Sequence, residues 1–134
     1  MVRAEDLRIG NIIRDSNFEQ HVVVLELYER SIKGHISGTI VDSIERYEDL
    51  SGVPLTEEWL LKFGFTHKGL DEEGTKEFEY DGRFKYSIGG DLYYCPMGDK
   101  HSYGHFMRCE FVHQLQNLIF VLCGELTIKS KLNG

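Results

Sequence analysis

The sequence predicts an α+β protein with two small β-meanders, a short helix between them and an amphipathic C-terminal helix. Three observations carry this prediction. Residues 8–50 contain β-branched and aliphatic runs broken by glycines, which is typical of short strands. Residues 76–109 contain aromatic segments separated by turn signals. Residues 111–122 repeat apolar side chains at three- and four-residue spacing, which is typical of a helix packed on a sheet.

The first meander is expected to hold three or four antiparallel strands. Its clearest segment runs from His21 to Tyr28. The pattern continues, with glycines at 34 and 38, through Ile32, Ile36, Ile40, Val41 and Ile44. A short meander exposes unpaired strand edges, and curling into a barrel removes them. We therefore expect residues 1–54 to form a small β-barrel-like meander.

The linking helix is predicted residue by residue. Thr56 is a suitable N-cap, and Glu57 and Glu58 occupy the first turn, where the helix dipole favours negative charge. Lys62 follows in the last turn, and Gly64 can end the helix in a left-handed conformation. The segment therefore predicts one complete short helix.

The second meander follows a polar, glycine-containing link at residues 66–75 and begins with a hairpin signal at Asp81-Gly82. A two-residue turn would place the aromatic side chains of the two strands on opposite faces. A three-residue loop with a bulge at Gly82 pairs Phe78 with Phe84 and gathers these rings on one face. We prefer the bulged register for that reason.

Further turns are expected at Gly89–Asp91 and Pro96–Asp99, with strands at Leu92–Cys95 and Tyr103–Cys109. The C-terminal helix begins near Phe111 and ends at Gly124. The face opposite its apolar stripe carries the polar residues His113, Gln114, Gln116 and Asn117. A short strand at Leu126–Ile128 and a frayed tail at Lys129–Gly134 complete the prediction.

A chain of 134 residues can bury one ordinary core, so we expect a single compact domain over residues 1–134. Subdomains at 1–54 and 55–134 are the alternative. The net charge of -7 and the lack of adjacent Lys or Arg residues argue against a nucleic-acid surface. Acidic residues concentrate at 42–58 and 71–81, where they could repel nucleic acid or attract a basic partner. Solvated loops and strand edges are the preferred interpretation.

Three cysteines, an odd number, argue against a closed disulfide framework and favour a reducing, cytoplasmic compartment. Neither a secretory leader nor an apolar stretch of the ~20 residues needed to cross a membrane is recognisable in the sequence. No membrane partner is therefore expected.

Three motifs carry a resemblance to a known family. They are Leu7-Arg-Ile-Gly-Asn11, the helix segment Pro54-Leu-Thr-Glu-Glu-Trp-Leu-Leu-Lys-Phe-Gly-Phe65, and Val112-His-Gln-Leu-Gln-Asn-Leu-Ile-Phe-Val-Leu-Cys-Gly-Glu-Leu126. In this order they resemble a family of small proteins from gut bacteria, their prophages and mobile elements. The family carries no known activity, so the resemblance implies lineage and fold and assigns no site residue.

Cys95, His101, His105 and Cys109 form the strongest candidate site. Two thiolates and two imidazoles are a complete tetrahedral ligand set for zinc. The spacing lacks a close Cys-x-x-Cys pair, and on a regular strand the four-residue steps would separate the ligands by ~13 Å. The preferred interpretation is half-buried cysteines and surface histidines, with zinc as the alternative.

No other catalytic or nucleotide-binding site is predicted. Cys95, Cys109 and Cys123 lack the surrounding signature of a nucleophile, and Cys123 is interpreted as a core residue. The glycines lack the Lys-Ser/Thr of a phosphate loop. Adjacent carboxylates such as Glu57 and Glu58 point about 100° apart on a helix and form no dyad.

These observations predict a non-enzymatic cytoplasmic interaction module, an accessory protein of phage or mobile-element origin. It would act through the aromatic second sheet or through the helix face at His113, Gln114 and Asn117. Cross-strand packing is the preferred account of the aromatic side chains, and only rings left exposed would form a partner surface. The expected partner is an unidentified protein, with a homo-oligomer left open; nucleic acid is not expected. A zinc-binding protein, structural or hydrolytic, is the alternative.

Overall fold

The computed structural model describes residues 2–70, 74–80, 83–88, 90–94 and 104–123, with only the backbone described at Tyr94, 104–107 and Cys123. The chain divides into two compact units, Met1–Pro54 with Phe111–Leu126, and Leu55–Glu110 with Thr127–Gly134. The C-terminal helix, α2 at Val112–Cys123, belongs to the first of these units. The single domain expected from chain length stays a prediction.

The first unit contains a five-stranded antiparallel sheet in the order β4-β3-β2-β1-β5. Its strands are β1 at Ile12–Asp15, β2 at Gln20–Leu27, β3 at Ser31–Ile36, β4 at Asp42–Arg46 and β5 at Leu50–Gly52. Single 3-10 turns at Ala4–Asp6 and Tyr47–Asp49 precede β1 and β5. The predicted meander is confirmed, with β5 as an additional strand.

The core of the first unit lies on one face of this sheet. Alternate residues of the strands point to the same face, and the inward-pointing residues that form the buried cluster are aliphatic. The buried cluster consists of Val2, Leu7, Ile13, Val22, Val24, Ile32 and Leu50. Gly34 belongs to this inward face, because a Cβ there would lie 2.1 Å from Cγ1 of Val22. Helix α2 contacts β1 of the same sheet.

The predicted barrel is wrong, because the sheet is not closed. A barrel needs a hydrogen-bonded seam between its first and last strands. Among the described residues β4 pairs with β3 and β5 pairs with β1, and no ladder joins β4 to β5. The sheet therefore keeps two edges, which the prediction had removed.

The second unit begins with the predicted linking helix, α1 at Glu57–Lys62. The backbone N–H of Trp59 donates to Oγ1 of Thr56 at 3.4 Å, so Thr56 is the N-cap. Gly64 has φ 93°, the left-handed conformation that ends a helix. Local chemistry predicts this element because each signal lies within one or two turns of it.

The second unit also contains a five-stranded antiparallel sheet, in the sequential order β10-β9-β8-β7-β6. Its strands are β6 at Thr66–Leu70, β7 at Lys76–Tyr80, β8 at Phe84–Ser87, β9 at Asp91–Tyr94 and β10 at Gly104–Arg108. The second meander is confirmed. The polar link predicted at 66–75 is wrong over its first half, because a strand with mainly polar, exposed side chains can still pair along its backbone with β7.

The hairpin between β7 and β8 has a different register from the predicted one. Tyr80 lies opposite Phe84, and Phe78 lies opposite Tyr86, so the pairing of Phe78 with Phe84 is wrong. The observed register keeps Tyr80 in the strand, where its carbonyl accepts from the Arg83 N–H at 3.1 Å. All four rings still share one face, and Phe78, Phe84 and Tyr86 are buried.

The turn predicted at Gly89–Asp91 is present at Gly90. Its N–H donates to the Ser87 carbonyl at 3.1 Å, and its backbone has φ 121°. Other predicted features lie outside the described residues: the hairpin tip Asp81-Gly82, the turn Pro96–Asp99, the helix end at Gly124, the strand Leu126–Ile128 and the tail Lys129–Gly134.

Candidate protein interaction edge

The polar face of α2 does not form the surface that the sequence predicted. Nδ2 of Asn11 donates to Oδ1 of Asn117 at 2.8 Å, and Nδ2 of Asn117 donates to the Asp6 carbonyl at 2.9 Å. Gln116 accepts from the Ile12 N–H at 2.9 Å. We call the side chains of Asn11, Gln116 and Asn117 the amide network.

The amide network holds the segment before β1 against α2. Nε2 of Gln116 donates to the Gly10 carbonyl at 3.1 Å, and Oδ1 of Asn11 accepts from the Arg8 N–H at 2.7 Å. These bonds supply partners for backbone groups that lie outside the sheet ladders. Two of the motifs behind the family resemblance, Leu7–Asn11 and Val112–Leu126, therefore meet here for a structural reason. Asn117 therefore bonds within the fold, which weakens the prediction that this helix face binds a partner.

His113 is also buried, and it stacks on Phe111 with ring centroids 5.9 Å apart. Gly52 lies beneath both rings, where a Cβ would be 2.6 Å from Phe111 and 3.1 Å from Cε1 of His113. Burial lowers the pKa of His113, partly opposed by Asp6, so the imidazole is neutral near pH 7. A neutral ring enclosed in this way cannot serve an external partner.

The Cys/His set is only partly within the described residues. Cys95 and His101 lie outside them, and only the backbone of His105 is described, in β10. Cys109 is buried, and burial raises its pKa to about 12. This shift disfavours the thiolate that a nucleophile requires. The described residues contain no cluster of three or more metal-ligating side chains, and the zinc hypothesis stays a prediction.

Most of the described aromatic side chains of the second sheet pack within it. Phe65 stacks on Tyr80 at 5.1 Å, and Tyr80 lies 6.3 Å from Phe84. The Tyr86 hydroxyl donates to the Cys109 carbonyl at 2.8 Å, and burial raises the pKa of that hydroxyl. Tyr103 lies outside the described residues, and the side chains of Tyr94 and Phe106 are not described. The described rings thus serve the core, which weakens the prediction of an aromatic binding surface.

Strand β4 presents a different kind of surface, at one edge of the first sheet. Its side chains alternate, so Asp42, Ile44 and Arg46 are exposed while Ser43 and Glu45 lie half-buried on the core side. Ile44 is 65% exposed. Within the described ranges β3 is its only pairing partner, over five consecutive residues without a bulge. We call the unpaired side of β4 the β4 edge.

Apolar exposure continues from β4 into the preceding turn. Ile40 is 98% exposed and Val41 is 50% exposed, and the Val41 carbonyl accepts from the Ile36 N–H at 2.9 Å. This hydrogen bond ties the turn to the end of β3. Three β-branched residues therefore lie along one border of the sheet without burial in the core.

Charged groups flank Ile44 on the exposed face. Oδ1 of Asp42 lies 2.9 Å from Nδ1 of His35, and Nη1 of Arg46 lies 3.9 Å from Oε1 of Glu48. On the opposite face the Ser43 hydroxyl donates to Glu45 at 3.0 Å, and burial raises the pKa of Glu45. The pairs on the exposed face are solvent-accessible, so a partner can replace them at little cost.

The β6 edge of the second sheet also exposes an apolar residue, Leu70, but its strand is irregular. The register between β6 and β7 shifts between His67 and Gly69, which marks a bulge. Lys68 stands at this irregularity and pairs with Glu79 at 2.9 Å. Bulges, lysines and charged residues that point toward the core are devices by which proteins prevent strand addition at an edge. The β4 strand has neither a bulge nor a lysine, and its inward-pointing charge is Glu45, which is half-buried.

The sequence analysis treated Ile40, Val41 and Ile44 as ordinary strand residues and missed this surface. One signal was present. In Asp42-Ser-Ile-Glu-Arg46 the residues two positions before and after Ile44 are charged, so the face that carries Ile44 cannot belong to the core.

No family model, curated protein or solved structure matches the chain. No described helix is long and apolar enough to span a membrane.

Proposed function

We propose that the protein is a non-enzymatic interaction module that binds an extended segment of a partner protein by strand addition at the β4 edge. The observation that carries this proposal is a regular, unbulged edge strand whose exposed face presents Ile44 between two charges. In strand addition the main-chain groups supply the hydrogen bonds, and alternate side chains supply specificity.

The exposed apolar residues Ile40, Val41 and Ile44 define what the partner must offer. A pairing strand places one side chain opposite each exposed position, at a Cβ separation of about 5 Å. The matching segment therefore has an apolar residue flanked, two positions away on either side, by charges that complement Asp42 and Arg46. A role as a cytoplasmic accessory protein of phage or mobile-element origin belongs to the same proposal, supported by the cysteine count and the motif resemblance.

The test is a selection of displayed random peptides against the purified protein, followed by mapping of the bound peptide by amide chemical shifts. We expect selected peptides to alternate apolar and polar residues and to perturb residues 40–46. Ile44→Asp should weaken their binding by tenfold or more, because it places a charge where an apolar contact forms. Leu70→Asp, the same kind of change at an exposed leucine of β6, is the matched control and should leave binding unchanged.

Peptides that bind with shifts confined to the second unit would contradict the proposal. So would peptides whose affinity is the same for Ile44→Asp and for the unmodified protein. Turnover of a defined substrate, abolished by substitutions away from β4, would replace it with an enzymatic function.

A further inference from the structure

We propose that the strand added at the β4 edge is β4 of a second copy of this chain, in antiparallel orientation and centred on Ile44. This inference rests on the proposed function and names its partner. The observation behind it is the order of side chains along the exposed face, which are acidic at Asp42, apolar at Ile44 and basic at Arg46. A two-fold axis between the Ile44 residues of the two copies sets the start of one strand opposite the end of the other.

The charge pattern is self-complementary in this register. Directly opposite residues are Ile44 with the second copy's Ile44, and Asp42 with the second copy's Arg46, the latter pairing occurring twice. Cross-strand pairs of opposite charge and of β-branched side chains stabilise antiparallel sheets. On the core side Ser43 stands opposite the second copy's Glu45, which keeps the Ser–Glu contact that each chain makes on its own.

Other registers lose this complementarity. A parallel arrangement in register sets Asp42 beside Asp42 and Arg46 beside Arg46, which is repulsive at both ends. An antiparallel shift of two residues places Ile44 opposite a charge and leaves the other charged residue beyond the end of the strand. The arrangement centred on Ile44 is thus favoured by charge, and it joins two five-stranded sheets into one continuous sheet.

The contact is small, because one five-residue strand and the adjoining turn contribute most of it. Interfaces of this size belong to the weak, reversible class, so we expect dissociation constants of about 1–100 μM. The two ion pairs are solvent-exposed and should make the association weaken as salt is added.

Charge reversal provides the test, read by sedimentation velocity over a concentration series. Asp42→Arg and Arg46→Glu each place like charges opposite one another, and each variant alone should raise the dissociation constant at least tenfold. An equimolar mixture of the two variants restores opposite charges at both pairs and should restore the dimer. The double variant Asp42→Arg/Arg46→Glu restores them within a single chain and should also dimerise.

Arg3→Glu is the matched control. It makes the same change of charge near the opposite edge of the sheet, where the N–H of Val2 donates to the Leu50 carbonyl of β5. We expect it to leave the dimer unchanged. Circular dichroism of every variant checks that loss of the dimer is not loss of the fold.

A mixture that remains monomeric would overturn the inference, and so would a dimer indifferent to both reversals. A wild-type protein that stays monomeric at the highest concentration of the series would overturn it as well. If that protein dimerises only after removal of residues 127–134, this segment and not a second copy is the occupant of the β4 edge. If the monomer still binds selected peptides at residues 40–46, the proposed function stands and only the second copy is rejected. If the protein binds neither a second copy nor the selected peptides at residues 40–46, both proposals fail.

Discussion

The two units of this chain each build a five-stranded antiparallel sheet with a buried core, yet aliphatic side chains fill the first core while aromatic rings dominate the second. In the first unit, the Gln116 side chain of α2 also bonds to the backbone of Gly10 and of Ile12, at the start of β1. In the second, aromatic rings from β7 and β8 share one buried face. Loss of one hydrogen-bonding atom leaves a buried polar group unsatisfied and lowers stability, whereas rings stabilise the fold mainly by the volume and area that they bury.

The sheets also differ at their edges. β6 has a bulge and a lysine, which discourage pairing with another chain, while β4 is regular and exposes Ile44. A protein that protects one edge and leaves another regular has a surface available for strand addition. The contrast between these edges is the reason that the β4 edge carries the proposed function.

The largest expected effect tests the aromatic core of the second unit. Phe84 is fully buried, and Phe84→Ala should lower the free energy of unfolding by about 3–5 kcal/mol, because it removes buried area and leaves a cavity. Urea unfolding measures this loss. Phe18→Ala is the control, since Phe18 is 73% exposed, and should change stability by less than about 0.5 kcal/mol. Equal losses for both would contradict the assignment of the core.

The next effect tests the amide network of the first unit. Gln116→Leu nearly preserves volume but leaves the Ile12 N–H and the Gly10 carbonyl without their bonds to this side chain. We expect a loss of about 2–3 kcal/mol, the penalty for unsatisfied buried groups. Gln20→Leu makes the same change at a half-buried position of β2 and should cost much less. A neutral Gln116→Leu would mean that packing, not hydrogen bonding, joins α2 to the sheet.

A smaller effect separates the polar from the apolar contribution of Tyr86. Tyr86→Phe removes the hydroxyl that donates to the Cys109 carbonyl and keeps the ring. We expect a loss of about 1 kcal/mol, the net value of one hydrogen bond. The same urea unfolding measurement applies. A loss as large as that of Phe84→Ala would show that the second unit depends on hydrogen bonding as much as the first.

The smallest effect is the pH dependence contributed by His113. Its ordinary pKa is 6.5 and its folded-state pKa is lower, so below pH 6.5 the unfolded chain binds a proton that the folded protein does not. Stability from this group is therefore present above pH 6.5 and is lost as pH falls toward the folded-state pKa. His113→Leu should reduce the loss of unfolding free energy between pH 7.5 and pH 5.5, because the substituted side chain binds no proton in either state. An unchanged pH dependence would contradict the burial of a neutral ring.

How far the sequence predicts the fold depends on how local the deciding interactions are. Helix α1 is predicted completely, because Thr56, Lys62 and Gly64 act within the helix itself. The hairpin is predicted in its shared aromatic face but not in its register, since several registers put the rings on one side. Here Tyr80 remains in the strand opposite Phe84.

The site depends on longer-range interactions, and the sequence predicts less of it. Periodicity identifies α2 and its polar face, but it cannot tell whether polar side chains meet water or distant backbone. Gln116 bonds to Gly10 and Ile12, more than a hundred residues away. Barrel closure is likewise a property of the whole sheet, and β5 pairs with β1 alone among the described strands. The β4 edge became visible only when the strand order was known.

The most direct test of the central claim is amide hydrogen exchange, residue by residue, in β4 and β6 of the same sample. The protein would be measured dilute, then at high concentration, and then dilute with a saturating selected peptide. We predict slower exchange for amides within residues 42–46 in at least one of the last two conditions, with residues 66–70 unchanged. Slower exchange in β6, or none in β4 under either condition, would contradict the claim that β4 is the binding edge.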